Sequence, residues 1–206
     1  MELPRTVADQ AELFPDGINA PEGFRYQAEF ISTHEERELT DTIAQLALSE
    51  VKMHGVVAKR RTVHFGQSYD FQTFRLTPTL EIPPFLRPLR NRAADFVGVT
   101  STEFGEALIT EYQPGAGIGW HRDAPQFGIV VGISLLADCT MQFRPWPHVT
   151  RGDAKTNPKT KRKEQRLARR SGYVLSGNVR QNWQHRIPAS ENLRYSITFR
   201  TLRGTR

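Results

Sequence analysis

The spacing of apolar and polar positions changes character near residue 100. Upstream, Leu39, Ile43 and Leu46 recur at helical spacing behind Thr33-His34-Glu35-Glu36, where Thr33 and Glu36 read as a capping box. This predicts a helix over about 34–48. A second helix is expected over about 86–98, burying Leu89, Ala93 and Phe96 with Phe85 just ahead. Downstream the period shortens to that of strands. Ala107 to Tyr112, Gly128 to Leu136, Cys139 to Arg144, Gly172 to Leu175 and Leu193 to Leu202 each read as one. Such a series, with helices to one side, predicts a mainly β protein with flanking helices (α+β) built as a sandwich or barrel. Residues 1–30 set Pro4, Pro15, Gly17, Pro21 and Gly23 among Phe14, Phe24, Tyr26 and Phe30, and read as an extended arm packed by its aromatics. Between the two helices, Lys59 to Gly66 and Tyr69-Asp70-Phe71 interleave cations with aromatics, as in a hairpin or lid. No internal repeat interrupts this order.

At 206 residues the chain is expected to form a single domain over 1–206, with arm, helices and lid in 1–100 and the strands in 101–206. The lone Cys139 excludes an intramolecular disulfide and any multi-cysteine metal cluster. Met1 to Gln10 carries no apolar run after a basic start, and Phe127 to Cys139 is too short and glycine-broken to cross a bilayer. A soluble, cytoplasmic monomer with no membrane partner is the expectation. The net charge of +6 favours polyanions, through counterion release. Residues 151–170 hold nine Lys or Arg against Asp153 and Glu164. They read as a solvated loop, useful to a polyanion only if it lies near a site.

Gly119-Trp120-His121-Arg122-Asp123 places His121 and Asp123 two apart. In extended backbone such residues share a face, so imidazole and carboxylate can converge on one ion. A lone His-x-Asp is common, and a third ligand is needed. His185, in Asn182-Trp183-Gln184-His185-Arg186, is the leading candidate, with His34, His54, His64 and His148 as rivals. Two imidazoles and one carboxylate form the facial triad that holds non-haem Fe(II) and leaves positions open.

The final strand adds a second signal. Leu193, Tyr195, Ile197 and Phe199 alternate with Arg194, Ser196, Thr198 and Arg200. One face is apolar and the other presents two guanidiniums with hydroxyls between them. A solvent-exposed face satisfies this pattern too. If it lines a pocket, arginines roughly 20 Å apart at Cα can grip the ends of a small dianion, because Arg holds carboxylates bidentately and keeps its charge.

Taken together, His121-Arg122-Asp123, the distant His185 and the Arg194 to Arg200 spacing resemble the AlkB family of Fe(II)- and 2-oxoglutarate-dependent dioxygenases. Ile109 to Gly119 is similar to that family's approach to the first ligand, and Tyr173-Val174-Leu175-Ser176-Gly177 to its approach to the second histidine. The motif match covers about 107–202; the N-terminal third matches loosely, through Arg61 to Phe71 as a nucleotide-recognition lid. The resemblance implies a double-stranded β-helix (jelly-roll) core. It implies Fe(II) on His121, Asp123 and His185, with 2-oxoglutarate and O2 as cosubstrates and no side-chain nucleophile. Arg194 is then expected on the far carboxylate, aided by Tyr112 and Ser196, with Arg200 nearer the iron. Thr110 stands where the family often has Asn, which puts that cosubstrate contact in doubt. The implied reaction is oxidative demethylation of N-alkylated bases in DNA or RNA, yielding formaldehyde, succinate and CO2. A flipped base would stack between His121 and Tyr69 or Phe71, with Arg60, Arg61 and the 151–170 loop on phosphates. Phe71 also suits core packing. The same chemistry on a tRNA modification, a protein side chain or a small molecule is the alternative, as is a silent basic binding module.

Overall fold

The computed structural model describes residues 19–53, 56–70, 73, 75–146 and 162–203. In chain order the strands are β1 (Phe24–Gln27), β2 (Ser49–Met53), β3 (Val56–Asp70), β4 (Arg75–Pro78), β5 (Phe104–Tyr112), β6 (Ile118–His121), β7 (Phe127–Leu135), β8 (Cys139–Pro145), β9 (Lys163–Leu167), β10 (Gly172–Leu175), β11 (Trp183–Ile187) and β12 (Arg194–Leu202). The helices are α1 (Thr33–Ile43), α2 (Arg87–Val97) and α3 (Gly177–Asn182).

Two sheets face one another. The larger has eight strands, ordered β1-β10-β7-β12-β5-β3-β2 with β4 on β3; the smaller is β6-β11-β8-β9. This is the jelly-roll arrangement expected. Strand alternation gives the large sheet two different surfaces. Tyr195, Ile197 and Phe199 of β12, with Ala107 and Ile109 of β5, pack outward under Leu39 and Ile43 of α1 and Leu89 and Ala93 of α2. Each such aliphatic side chain, fully buried, contributes about 1.5–3 kcal/mol. The opposite surface turns toward the small sheet, where Val130, Tyr173 and Leu175 meet Met141, Phe143 and Ile187.

The predicted helices are present with shifted ends. α1 is capped by Ser32 and Glu35, one residue before the expected pair. Glu36 is drawn away: it is buried, accepts the Leu136 N–H at 2.8 Å and pairs with Arg169. The helix also stops at Ile43, not 48, because the Gln45 and Leu46 N–H groups bond three residues back and tighten the last turn. α2 ends where expected, on Gly98 at φ 73° with its N–H on the Ala94 carbonyl.

Other expectations are corrected. Of the expected extended arm, residues 1–18 lie outside the described residues, and Phe24–Gln27 is extended but built into the large sheet, as β1 against β10. Part of the basic segment is ordered sheet. In β9, Gln165 and Leu167 turn inward while Glu164 and Arg166 face water, which hides a strand in a charged sequence. Arg166 pairs with Asp138, Arg169 with Glu36, and Arg170 with Glu29. Residues 151–161 lie outside the described residues. Arg60 to Gly66 is integral to the large sheet, paired with β5, with Arg61 and Thr62 also in a hairpin with β2, and Gln67 to Asp70 forms a second hairpin with β4.

Candidate metal centre

The smaller sheet brings the three expected ligands together. His121 ends β6 and sits opposite His185 of β11, with ring centroids 4.3 Å apart. Asp123 follows β6 by two residues. The donor atoms of His121, Asp123 and His185 all lie within 4.8 Å of one another, and no other described cluster of three such side chains does so. Among the rivals, His34 pairs with Glu38 on α1 and His64 with Glu106. His54 and His148 lie outside the described residues.

The surroundings fix the protonation these groups need. Burial disfavours the Asp123 charge, yet Arg200, His185 and Arg180 outweigh it and hold the carboxyl well below the usual carboxylate range. Arg200 Nη2 is 3.1 Å from Oδ1 and Arg180 Nη1 3.5 Å from Oδ2. Burial and the neighbouring His121 push His185 down to about 3, and burial lowers His121 as well. Both imidazoles are therefore neutral near pH 7, with a lone pair to offer. His121 Nδ1–H donates to the Gly119 carbonyl at 2.9 Å, which leaves Nε2 as the free donor atom.

The polar surface of β12 is buried, not solvent-facing. Arg194 is 1% exposed, and Ser196 and Thr198 are buried beside it. Arg194 Nε donates to Ser134 Oγ at 3.0 Å, and its guanidinium lies 5.1 Å from the Tyr112 ring centre. Among the described residues, neither of its terminal nitrogens finds a hydrogen-bond partner. Arg200 lies at the opposite, metal end of the strand. Its Nη1 donates to Glu106 Oε2 at 2.7 Å, and Glu106 Oε1 meets His64 Nδ1 at 2.8 Å. The two expected arginines thus differ: both terminal nitrogens of Arg200 are taken by carboxylates, with only its buried Nε left without a partner among the described residues, and Arg194 has an open fork.

One cavity between the sheets is lined by His121, Asp123 and His185, by Thr110, Tyr112, Ser196 and Arg200, and by Arg60, His64 and Tyr69. Tyr69 is buried against Ala124 and Phe127. Arg61 points elsewhere, its fork closed on Glu111 at 2.7 and 2.9 Å. Phe71 lies outside the described residues. Two residues of this site went unremarked in the sequence. Glu106 was findable as the cross-strand neighbour of Arg200. Arg180 carried no local signal. It is buried and donates to the carbonyls of Gly128, Ala124 and Phe127 at 3.1, 3.2 and 2.9 Å, tying down the turn after Asp123.

The sequence profile of the 2OG-Fe(II) oxygenase superfamily matches residues 23–200. An Arabidopsis thaliana protein named alkylated DNA repair protein ALKBH8 homolog is 28% identical over 192 residues, covering 85% of this chain and 53% of that protein. Human alpha-ketoglutarate-dependent dioxygenase alkB homolog 3 is 28% identical over 152 residues, covering 69% and 51%. The chain therefore spans about half the length of these curated relatives. The solved structure of OsALKBH1 shares the fold, with a TM-score of 0.64 at 12% identity over 88% of this chain and 98% of that one.

Proposed function

The chain belongs to the 2OG-Fe(II) oxygenase superfamily, and from that premise we propose that it oxidatively removes alkyl groups from the nitrogens of DNA or RNA bases. As a member with AlkB-family relatives, it is a 2-oxoglutarate-dependent dioxygenase that uses Fe(II), 2-oxoglutarate and O2. The observation that carries the finer reading is one cavity with two unlike regions, a metal-ligating end and an aromatic, cationic wall of Tyr69 and Arg60.

The residues present fit the cofactors. Two neutral imidazoles and an ionised carboxylate match the donor set of a ferrous facial triad. A buried guanidinium with both terminal nitrogens unpaired fits a carboxylate, which accepts two parallel N–H bonds. In this reading His121, Asp123 and His185 hold the iron. Arg194 takes the far carboxylate of 2-oxoglutarate, with Tyr112 and Ser196 beside it. When bound, iron and cosubstrate supply an O2-dependent hydroxylation of a substrate C–H, coupled to formation of succinate and CO2; an N-methyl group so oxidised leaves as formaldehyde.

The protein's own contribution is positioning and charge. Arg200 and Arg180 keep Asp123 ionised, and Glu106 holds Arg200 in place. In this reading a flipped base stacks between His121 and Tyr69, a contact type worth about 1–3 kcal/mol per face. Arg60 on the same wall supplies positive charge toward the nucleotide's phosphate.

A formaldehyde-release assay over a panel of N-methylated DNA and RNA oligonucleotides tests this, with Asp123→Ala as the blank. Release that depends on 2-oxoglutarate and vanishes in the variant is the expected result. Succinate formation stimulated by a peptide or tRNA, and by none of the methylated oligonucleotides, overturns the substrate assignment.

A further inference from the structure

The strands that carry the metal ligands have a second side. Along β11, His185 and Ile187 turn inward while Gln184 and Arg186 turn outward; along β8, Met141 and Phe143 turn inward while Gln142 and Arg144 turn outward. On this outer side the guanidiniums of Arg144 and Arg186 lie 4.6 and 4.8 Å from the Trp120 ring centre. Each is braced by a glutamine, Arg144 Nε on Gln184 Oε1 and Arg186 Nε on Gln142 Oε1, both at 2.7 Å. Arg122 extends the patch. It stacks 4.8 Å from the Trp146 ring centre and also lines the cavity. Trp146 is 41% exposed. Among the described residues, none of Arg122, Arg144 and Arg186 is in an ion pair with a carboxylate. Guanidinium groups that are braced through Nε keep their outer N–H edges for something else, and unneutralised cations beside the one exposed indole of this patch, Trp146, match a chain of phosphates and an unstacked base.

We infer that this outer face of the small sheet is a docking track for single-stranded nucleic acid, running from the cavity mouth at Arg122 across Trp146, Trp120, Arg144 and Arg186. The inference rests on the nucleic-acid reading above and extends it to the strand flanking the target base. Phosphates meet the arginine edges, and a base stacks on Trp146. An acidic protein segment would satisfy the charges but not the indole.

The test is anisotropy of a labelled, unmodified oligo(dT) or oligo(rU) with the full chain, titrated at several salt concentrations. Arg144→Gln with Arg186→Gln should weaken binding by about tenfold or more at low salt and flatten the log Kd against log salt slope by about 1.4, that is, 0.7 per lost phosphate contact. Trp146→Ala should weaken binding about fivefold with the slope unchanged. Oligonucleotide-independent succinate formation should be normal in both. If the double variant melts early, Trp146→Ala decides. Wild-type affinity in Trp146→Ala, an unchanged slope in a well-folded double variant, or polyglutamate competing as well as the oligonucleotide overturns the track. Binding is read without turnover. A failed formaldehyde panel with these results intact removes the demethylase assignment alone.

Discussion

Replacing Arg194 with Met should move stability and cosubstrate affinity in opposite directions. Arg194 is 1% exposed, and its two terminal nitrogens are buried without partners. A buried cation without a carboxylate carries a desolvation penalty of several kcal/mol. Its hydrogen bond to Ser134 Oγ returns about 1.5–3 kcal/mol of that. Methionine has similar reach and no charge, so Arg194→Met should stabilise the protein without 2-oxoglutarate by about 1–2 kcal/mol, the difference between these terms. Loss of one partner from a buried charged pair costs about 2–5 kcal/mol. The apparent KM for 2-oxoglutarate should therefore rise by roughly 30-fold to several thousand-fold. Urea midpoints give the first quantity and succinate formation the second. 2-Oxoglutarate at a hundred times the wild-type Kd should stabilise the wild type by about 2.7 kcal/mol and the variant by less than about 1 kcal/mol. A variant that is less stable than wild type yet has an ordinary KM would refute the reasoning, because the open fork would then be neither costly nor used.

Further outcomes follow from the geometry. Arg180→Ala removes the donors that clamp Ala124, Phe127 and Gly128 and leaves their carbonyls and Asp123 short of a partner; it should lose about 3–5 kcal/mol in urea unfolding and retain less iron, and a loss under 1 kcal/mol would sink the clamp. Gly132→Ala would place a Cβ 2.1 Å from Tyr173 Cζ, so it should cost about 1–3 kcal/mol through overpacking and raise the KM for 2-oxoglutarate by displacing a cavity wall; an unchanged melting temperature and KM would contradict this. Hydrogen bonding to Arg92 lowers Glu35 to about 2. A depressed carboxyl stabilises above its unfolded pKa near 4.5, and that contribution fades as pH falls toward 2. Because the pair is partly exposed, the effect is about 0.5–1 kcal/mol. Glu35→Gln, which can still cap the helix, should be less stable at pH 7 and lose less between pH 4.5 and 2.5; an equal acid-induced loss in both proteins would count against it.

Much of the site could be read from residue order because the relevant signals are local. His121 and Asp123 share a face by strand geometry alone, and the period-two pattern from Leu193 to Arg200 marks a strand with one apolar face; that its polar face is buried as well is seen only in the structure. What the sequence could not say was which guanidinium stays open, since that depends on Glu106 and Asp123, brought to Arg200 from other elements. Arg180 acts on carbonyls more than fifty residues away, so nothing near it in the chain announces the role. The α1 cap was displaced by one because Ser32 with Glu35 and Thr33 with Glu36 satisfy the same rule; Arg169 and the Leu136 N–H, both distant in sequence, decide between them. Strands β6 and β9 are short and glycine-broken or polar, so they show little alternation, and β1 alternates but over only four residues.

Gly66 interrupts β3 at φ 79°, where a Cβ would sit 2.3 Å from the Gly105 carbonyl oxygen. Before it, Arg60, Thr62 and His64 reach the cavity at even positions; beyond it, Tyr69 reaches the same cavity from an odd one, on a segment paired with β4 rather than β5. One strand thus has a fixed half, bonded into the framework that supports the metal ligands, and a swivelled half that can be reshaped independently. Under the proposed function, changes in the β3–β4 tip would alter which substrate is gripped while the oxidising machinery stays untouched, so diversification of target range within this architecture would have a natural address.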